Sequence, residues 1–258
     1  MTRWRIGLQL YSLREEMSKD PFGVLKQVAE VDFDGVEFAG FHGKSAQEWR
    51  EALEGLGLQV AGAHIGVNAL SGEELNRTLE FNRTLGNRNI TVPGLPEHMR
   101  RTKEDWLNFA KTLNDLSGEL GKRGMRIGYH THWVEYQPVG GEWPFHLLFG
   151  NTKREVALQV DIGHAIRAGL TTGQVIDLVR KYQGRVLSVH VKDYSKSKGY
   201  NVVVGEGEVE WPQLLSDLAK YGGTEWLILE QEEYPYKPPM ESIRRGLKNL
   251  RDLASTLG

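Results

Sequence analysis

The segment Ala157-Leu158-Gln159-Val160-Asp161-Ile162-Gly163-His164 is a short, mostly apolar run that stops at ionisable groups. Val186–Val189 runs into His190 in the same way, and Trp226–Leu229 into Glu230. Working outward from these, similar runs rich in Val, Ile, Leu and Phe appear at Ile6–Leu10, Gly35–Phe38, Gln59–Ala63, Asn89–Val92 and Arg126–Tyr129. Short apolar runs alternating with helix-period segments are the sequence form of βαβ units around a parallel sheet. Eight such units in 258 residues average about 32 residues each, near the size of one βα repeat. An open doubly wound sheet is the competing arrangement, but no G-x-G-x-x-G follows the first run, where the sequence reads Gly7-Leu8-Gln9-Leu10-Tyr11-Ser12. The expected fold is an α/β (β/α)8 TIM barrel, with residues 1–258 as a single domain.

The intervening segments carry helix starts. Asp20-Pro21 places a cap before a first-turn proline, Ser71-Gly72-Glu73-Glu74 has capping-box spacing, and Thr102-Lys103-Glu104-Asp105 is a weaker version of it. Between about Glu104 and Lys122, Trp106, Phe109, Leu113, Leu116 and Leu120 form one stripe at three- and four-residue spacing, which should face the sheet. Tyr194–Glu210, with Gly199, Gly205 and Gly207, reads as a long loop able to act as a mobile cover over the barrel mouth.

Composition narrows the function. With 32 Lys+Arg against 34 Asp+Glu there is no bulk positive field for a phosphate backbone, so a nucleic-acid partner is not expected and a small sugar or polyol fits better. No cysteine is present, so any metal must sit on His, Asp and Glu. No stretch approaches the roughly 18 apolar residues of a membrane span, and no apolar run near the start is long enough for a signal segment; the expectation is a cytoplasmic protein without membrane association. A homo-oligomer is left open.

Five of the eight histidines, His64, His130, His132, His164 and His190, fall at or just after predicted strand ends, and Glu37, Asp161 and Glu230 hold similar places. A single such residue is more often a loop cap than a ligand, but the carboxyl ends of barrel strands converge on one mouth. Several carboxylates buried together need a cation or proton to offset their repulsion, and His mixed with Asp and Glu suits a divalent metal. Asp161, His190 and Glu230 are therefore expected to form one site. His42, His98 and His146 lie in loops or helix starts and are read as structural. Trp133, Tyr136, Trp143, Tyr194 and Tyr234 could form a sugar platform or simply pack the barrel top.

The segments GLQLYSLR, GVEFAG, AHIG, VPGLPEHMR, YHTHWVEY, VDIGHAIRAG, VHVKDY, GEGEVEW and LEQEEYP resemble, in order and spacing, the sugar phosphate isomerase/epimerase group of xylose isomerase-like TIM barrels, with inosose dehydratase and tagatose 3-epimerase relatives. The resemblance implies a metal held by a strand-5 carboxylate, Asp161, His190 and Glu230. It also implies substrate contacts from His164 and Lys192, to which Glu37, His64 and Trp133 are added. Where tagatose-epimerase-type members carry a strand-5 Glu, this chain reads His130-Thr131-His132. The nearest carboxylate is Glu135, which is expected to complete the metal shell, while His130 and His132 supply hydrogen bonds or proton transfer. His130 as the ligand is the alternative.

The activity so implied is isomerisation or epimerisation of a sugar, sugar phosphate or keto-sugar. It would proceed by proton abstraction alpha to a carbonyl through a metal-stabilised enediolate, with Glu230 and Glu135 as bases. Mn2+ is the first choice of ion, ahead of Mg2+, Co2+ and Zn2+. An inosose or keto-sugar dehydratase would use the same site; a non-catalytic metal- or sugar-binding barrel and an endonuclease-IV-like phosphodiesterase are the remaining alternatives.

Overall fold

All eight apolar runs form parallel strands: β1 Arg5–Gln9, β2 Gly35–Phe38, β3 Gln59–His64, β4 Asn89–Val92, β5 Arg126–His130, β6 Ala157–Asp161, β7 Ser188–Val191 and β8 Trp226–Leu229. In the computed structural model, which describes residues 4–256, each strand pairs with its sequence neighbours and β8 pairs back to β1, closing the barrel. His130, Asp161 and His190 are the surprise in this register: they do not follow their strands but belong to them. The ladder continues through these ionisable residues because their side chains point into a polar barrel centre.

Successive strand residues face opposite sides. Leu227, Leu229, Val189, Val191, Leu158 and Val160 join the main core against the helices. The residues between them face the barrel axis: Trp226 and Ile228 pack with Ala61 as a small separate apolar plug. Above the plug the same parity places Gln9, Glu37, Gln159, Ser188 and His190, and, one step beyond the strands, Lys192 and Glu230. A register shift on β3, where Val36 pairs with Val60 and Glu37 with Gly62, sets Gly62 opposite Glu37. Gly62 makes room for it, since a Cβ there would stand 3.1 Å from Glu37 Oε1.

The helices form the outer layer. Lys103–Gly121 buries Trp106, Phe109, Leu113, Leu116 and Leu120, as its stripe predicts, and opens with a capping box between Thr102 and Asp105. Asp20 caps Pro21–Glu30 by accepting from the Gly23 amide at 2.9 Å. Ser71 behaves differently from expectation: it precedes Gly72–Leu85 but makes no side-chain cap, and the chain enters that helix through Gly72 at φ +57°. No helix among the described residues is long and apolar enough to cross a membrane.

The glycine-rich segment after β7 is not a loose cover. Tyr200, Val202, Val203 and Val204 are buried, and Asp193 gathers the segment onto the barrel. Its carboxylate accepts from the amides of Tyr194 and Gly205 at 2.9 Å, Gly207 at 3.2 Å and Val209 at 3.3 Å, and from the Trp211 indole at 2.9 Å. A Cβ on Gly207 would lie 2.0 Å from Asp193 Oδ1, so only glycine allows this approach. Gln231 fastens the tip, donating to the carbonyls of Val202 and Glu233 at 2.9 and 2.6 Å. Asp193→Ala should strand several buried donors, costing about 2–4 kcal/mol in a denaturant titration and releasing residues 199–209 to fast amide exchange. Unchanged exchange in that segment would show that Asp193 does not hold it.

Candidate metal centre and active site

The inward layer is one connected polar network. Glu37, buried at the end of β2, accepts from Gln9 Nε2 at 2.7 Å, Gln159 Nε2 at 2.6 Å and His190 Nε2 at 2.6 Å. Burial opposes its charge, but the His64 and His190 imidazoles hold the Glu37 carboxyl well below the usual carboxylate range. An ionised carboxylate only accepts, so the Gln159 amide nitrogen must face Glu37, and its oxygen is left to accept. That oxygen lies 3.0 Å from His130 Nδ1 and 2.7 Å from His64 Nε2. Both ring nitrogens are therefore N–H donors. His130 is then a neutral imidazole whose Nε2 lone pair faces Asp161 Oδ2 at 4.0 Å. Its basicity is pushed well below that of a free imidazole by burial and by the neighbouring His190.

His190 is enclosed by carboxylates, with Nδ1 2.7 Å from Glu230 Oε2 and Nε2 2.6 Å from Glu37 Oε2. Burial disfavours its charge, yet Glu37 and Glu230 push it up to about 10. Lys192 reaches Asp161 Oδ2 and Glu230 Oε2 at 3.0 Å each and Glu232 Oε1 at 2.5 Å. Against the cost of burial, Asp161, Glu230 and Glu232 raise the Lys192 ammonium well above its ordinary value. Burial likewise opposes charge on Glu230, but Lys192 and His190 hold it well below the carboxylate range. Asp161 goes the other way, pushed up to about 6 by burial and by Glu230 against the pull of Lys192.

Asp161 is the pivot. Its Oδ1 caps the short helix Ile162–Arg167 by accepting from the His164 amide at 2.7 Å. Its Oδ2 is buried, paired with the Lys192 ammonium at 3.0 Å and 4.0 Å from His130 Nε2. One donor atom each from His130, Asp161, His190 and Glu230 lies within 4.8 Å of all the others, and all four residues are buried. The His130 lone pair and the Asp161 oxygen face each other across a gap that suits a cation. The donors present fit a divalent metal.

The structure thus brings together Asp161, His190 and Glu230, with His130 as the fourth member. Glu135 stands outside that group. Tyr129 has the opposite parity to His130 and packs outward against Trp106, Phe109 and Phe149. Its hydroxyl donates to Glu135 Oε1 at 2.7 Å, and the His132 amide donates to Oε2 at 2.6 Å. Glu135 therefore braces the strand-5 loop from the helix side, buried, with burial raising its pKa. His132 lies between, its ring 4.7 Å from those of both His130 and His164, and burial with Lys192 nearby pushes it down to about 4. His164 accepts from or donates to Tyr200 Oη at 2.6 Å and lies 3.4 Å from Lys192. His64 stacks on His190. Trp133 is at the rim, 39 % exposed, with the Arg167 guanidinium over its ring.

Sequence reasoning passed over Gln9, Gln159, Ser188, Tyr200 and Glu232. Gln9, Gln159 and Ser188 sit inside strands, where an isolated Gln or Ser looks like tolerated polarity; their signal is the parity they share with Glu37, Asp161 and His190.

These features define a (β/α)8 barrel with a His/carboxylate centre at the carboxyl ends of its strands, where barrel enzymes keep their active sites. The chain belongs to the xylose isomerase-like TIM barrel family, whose model matches residues 25–253. An inosose dehydratase from Clostridium botulinum (strain Alaska E43 / Type E3) is 24% identical over 90% of this chain and 89% of its own length. A sugar phosphate isomerase/epimerase from Parabacteroides distasonis superposes with a TM-score of 0.81 at 19% identity, covering 99% of this chain and 96% of its own. The IolI protein, solved with a bound zinc atom, superposes with a TM-score of 0.74 at 15% identity, covering 98% and 99%.

Gln159 fixes which nitrogen of His130 carries the proton, so Gln159→Leu should free that ring while also removing one donor from Glu37. Outer partners of this kind typically contribute about 10–100-fold in metal affinity or activity, and a loss of that size in divalent-ion affinity is expected. Wild-type affinity in the variant, read by calorimetric titration, would show that the ring needs no such support.

Proposed function

We propose that this protein is a divalent-metal-dependent enzyme that abstracts a proton alpha to the carbonyl of a small polyhydroxylated ketone. The observation that carries this reading is the buried four-donor cluster of His130, Asp161, His190 and Glu230, beside a charged Lys192 and the neutral imidazoles of His132 and His164. His130, Asp161, His190 and Glu230 are assigned as the residues that would hold the ion, with Mn2+ the first candidate and His130 in the place expected of Glu135; His190 would give up its Nδ1 proton on metal binding and keep its Nε2–H on Glu37. A divalent ion there lowers the cost of negative charge on the substrate's carbonyl oxygen.

The chain's own groups supply the rest. Glu230 is the carboxylate base at the site, Lys192 is a buried cation with protons to donate, and His132, His164 and Tyr200 line the same space as hydrogen-bonding partners. Trp133 at the rim offers an apolar face to a sugar ring.

Isomerisation or epimerisation, the fate expected from sequence, and dehydration share this first step. A specific feature favours dehydration as the second reading. Epimerisation is served best by opposed bases, yet strand 5 offers His130, whose Nδ1 is committed to Gln159, and not a second carboxylate. Loss of a beta-hydroxyl asks for one base and one acid, which Glu230 and Lys192 provide. The similarity to inosose dehydratases agrees with it.

Ketoses and inososes incubated in D2O with Mn2+-loaded protein should acquire deuterium at the carbon next to the carbonyl. Label in an isomer or epimer marks the first fate; loss of water to an unsaturated ketone marks the second. Neither label nor loss of water with any of Mn2+, Mg2+, Co2+ or Zn2+ would refute the reading. The ligand assignment has its own check: His130→Gln should weaken metal retention about 10–100-fold, while Glu135→Gln should keep the metal. The reverse pattern in elemental analysis would return the ligand role to Glu135.

A further inference from the structure

Beside the proposed metal cluster, the loops after β3, β4 and β5 line an open cavity of about 510 Å³. It adjoins the cluster through His132, which lines it and whose ring lies 4.7 Å from that of His130. Most of its wall is apolar, including Val67, Leu95 and Trp133, but Arg100 also lines it and is its one Lys or Arg.

Arg100 is unusual in its partners. Its Nε is buried and makes no hydrogen bond. The next residue, Arg101, pairs with Glu97 at 3.7 Å, whereas among the described residues no carboxylate lies within 4.0 Å of the Arg100 guanidinium. The carboxylate that lines the same cavity, Glu135, already has each oxygen engaged, one by the Tyr129 hydroxyl and one by the His132 amide. Arg100 is half-buried, and its charge reaches the Glu135 carboxylate without forming an ion pair within 4.0 Å, so its fork keeps donors for a further anion. Its planar fork matches a carboxylate or a phosphate, and the Asn68 amide on the same wall offers a neutral donor to another oxygen.

We infer that this cavity binds an oxyanion, the carboxylate or phosphate carried by the end of the substrate remote from its reacting carbonyl, with Arg100 as its counterion. The link to a substrate rests on the function proposed above; the anion site itself does not. The substrate class becomes a keto-sugar acid or keto-sugar phosphate in preference to a neutral sugar.

The probes are methyl phosphate and acetate, titrated by calorimetry into Mn2+-loaded protein. One or both should bind saturably, and the one that binds more tightly identifies the phosphate or the carboxylate as the natural group. Arg100→Gln should weaken that binding by at least about tenfold, Arg100→Lys should lose part of it by keeping charge without the fork, and Arg101→Gln should change nothing. Circular dichroism melting of each variant establishes that it is folded; if Arg100→Gln is not, the Arg100→Lys series carries the comparison, and equal affinity there overturns the fork contact. Absence of binding to the wild type, or equal binding to Arg100→Gln, overturns the inference. Probe binding without deuterium exchange on any ketone would leave the anion site standing and sink the proposed reaction, and exchange without probe binding would do the opposite.

Discussion

The arrangement depends on how the barrel centre holds three buried carboxylates, Glu37, Asp161 and Glu230, within reach of one another. Bringing such groups out of water together is prohibitive unless opposite charge accompanies them. Two cations from one strand and its extension do this. His190 bridges Glu37 and Glu230 through its two ring nitrogens, and Lys192 bridges Asp161 and Glu230. Because they are two residues apart, they face the same side of β7 and reach successive levels of the barrel axis. Asp161 Oδ2, paired with Lys192 at 3.0 Å, also faces the His130 lone pair at 4.0 Å, and the proposed ion would sit between these donors.

The scaffold imposes the geometry through parity and clearance. An apolar plug of Ala61, Trp226 and Ile228 closes the barrel below the polar layer, so water reaches the charged groups from the mouth. Strand parity turns Glu37 inward, and the β2/β3 register shift sets Gly62, with no side chain, opposite it. Asp193, adjacent to Lys192, faces away from the centre and ties down the segment that carries Tyr200, so the hydroxyl beside His164 is positioned by a fixed wall. The layers of this chain therefore serve one another: outward residues build the core and anchor loops, inward residues build the chemistry.

Much of this was legible in the sequence because a barrel strand needs few signals. Apolar runs of four or five residues mark the strands, and the ionisable residues that end three of them mark the mouth; Asp161, His190 and Glu230 meet as that pattern requires. Glu135 was not legible in the same way, because parity fixes orientation only while the ladder lasts. Five residues beyond His130 the chain has turned in a short 3-10 helix at Val134–Tyr136, and Glu135 meets the hydroxyl of outward-facing Tyr129. The Tyr194–Glu210 segment looked mobile from its glycines, yet Gly207 is there for close approach to Asp193. Gln159 was silent because an amide within an apolar strand carries no charge to draw notice, although it sets the tautomer of His130.

The central claim is that the metal-competent centre is built from two imidazoles and two carboxylates, with His130 in the strand-5 place. Electron spin-echo envelope modulation of the Mn2+-loaded protein counts imidazole nitrogens bound to the ion directly. The account predicts two coupled imidazoles in the wild type, one in His130→Gln and two in Glu135→Gln. A single imidazole in the wild type that persists unchanged in His130→Gln would contradict it.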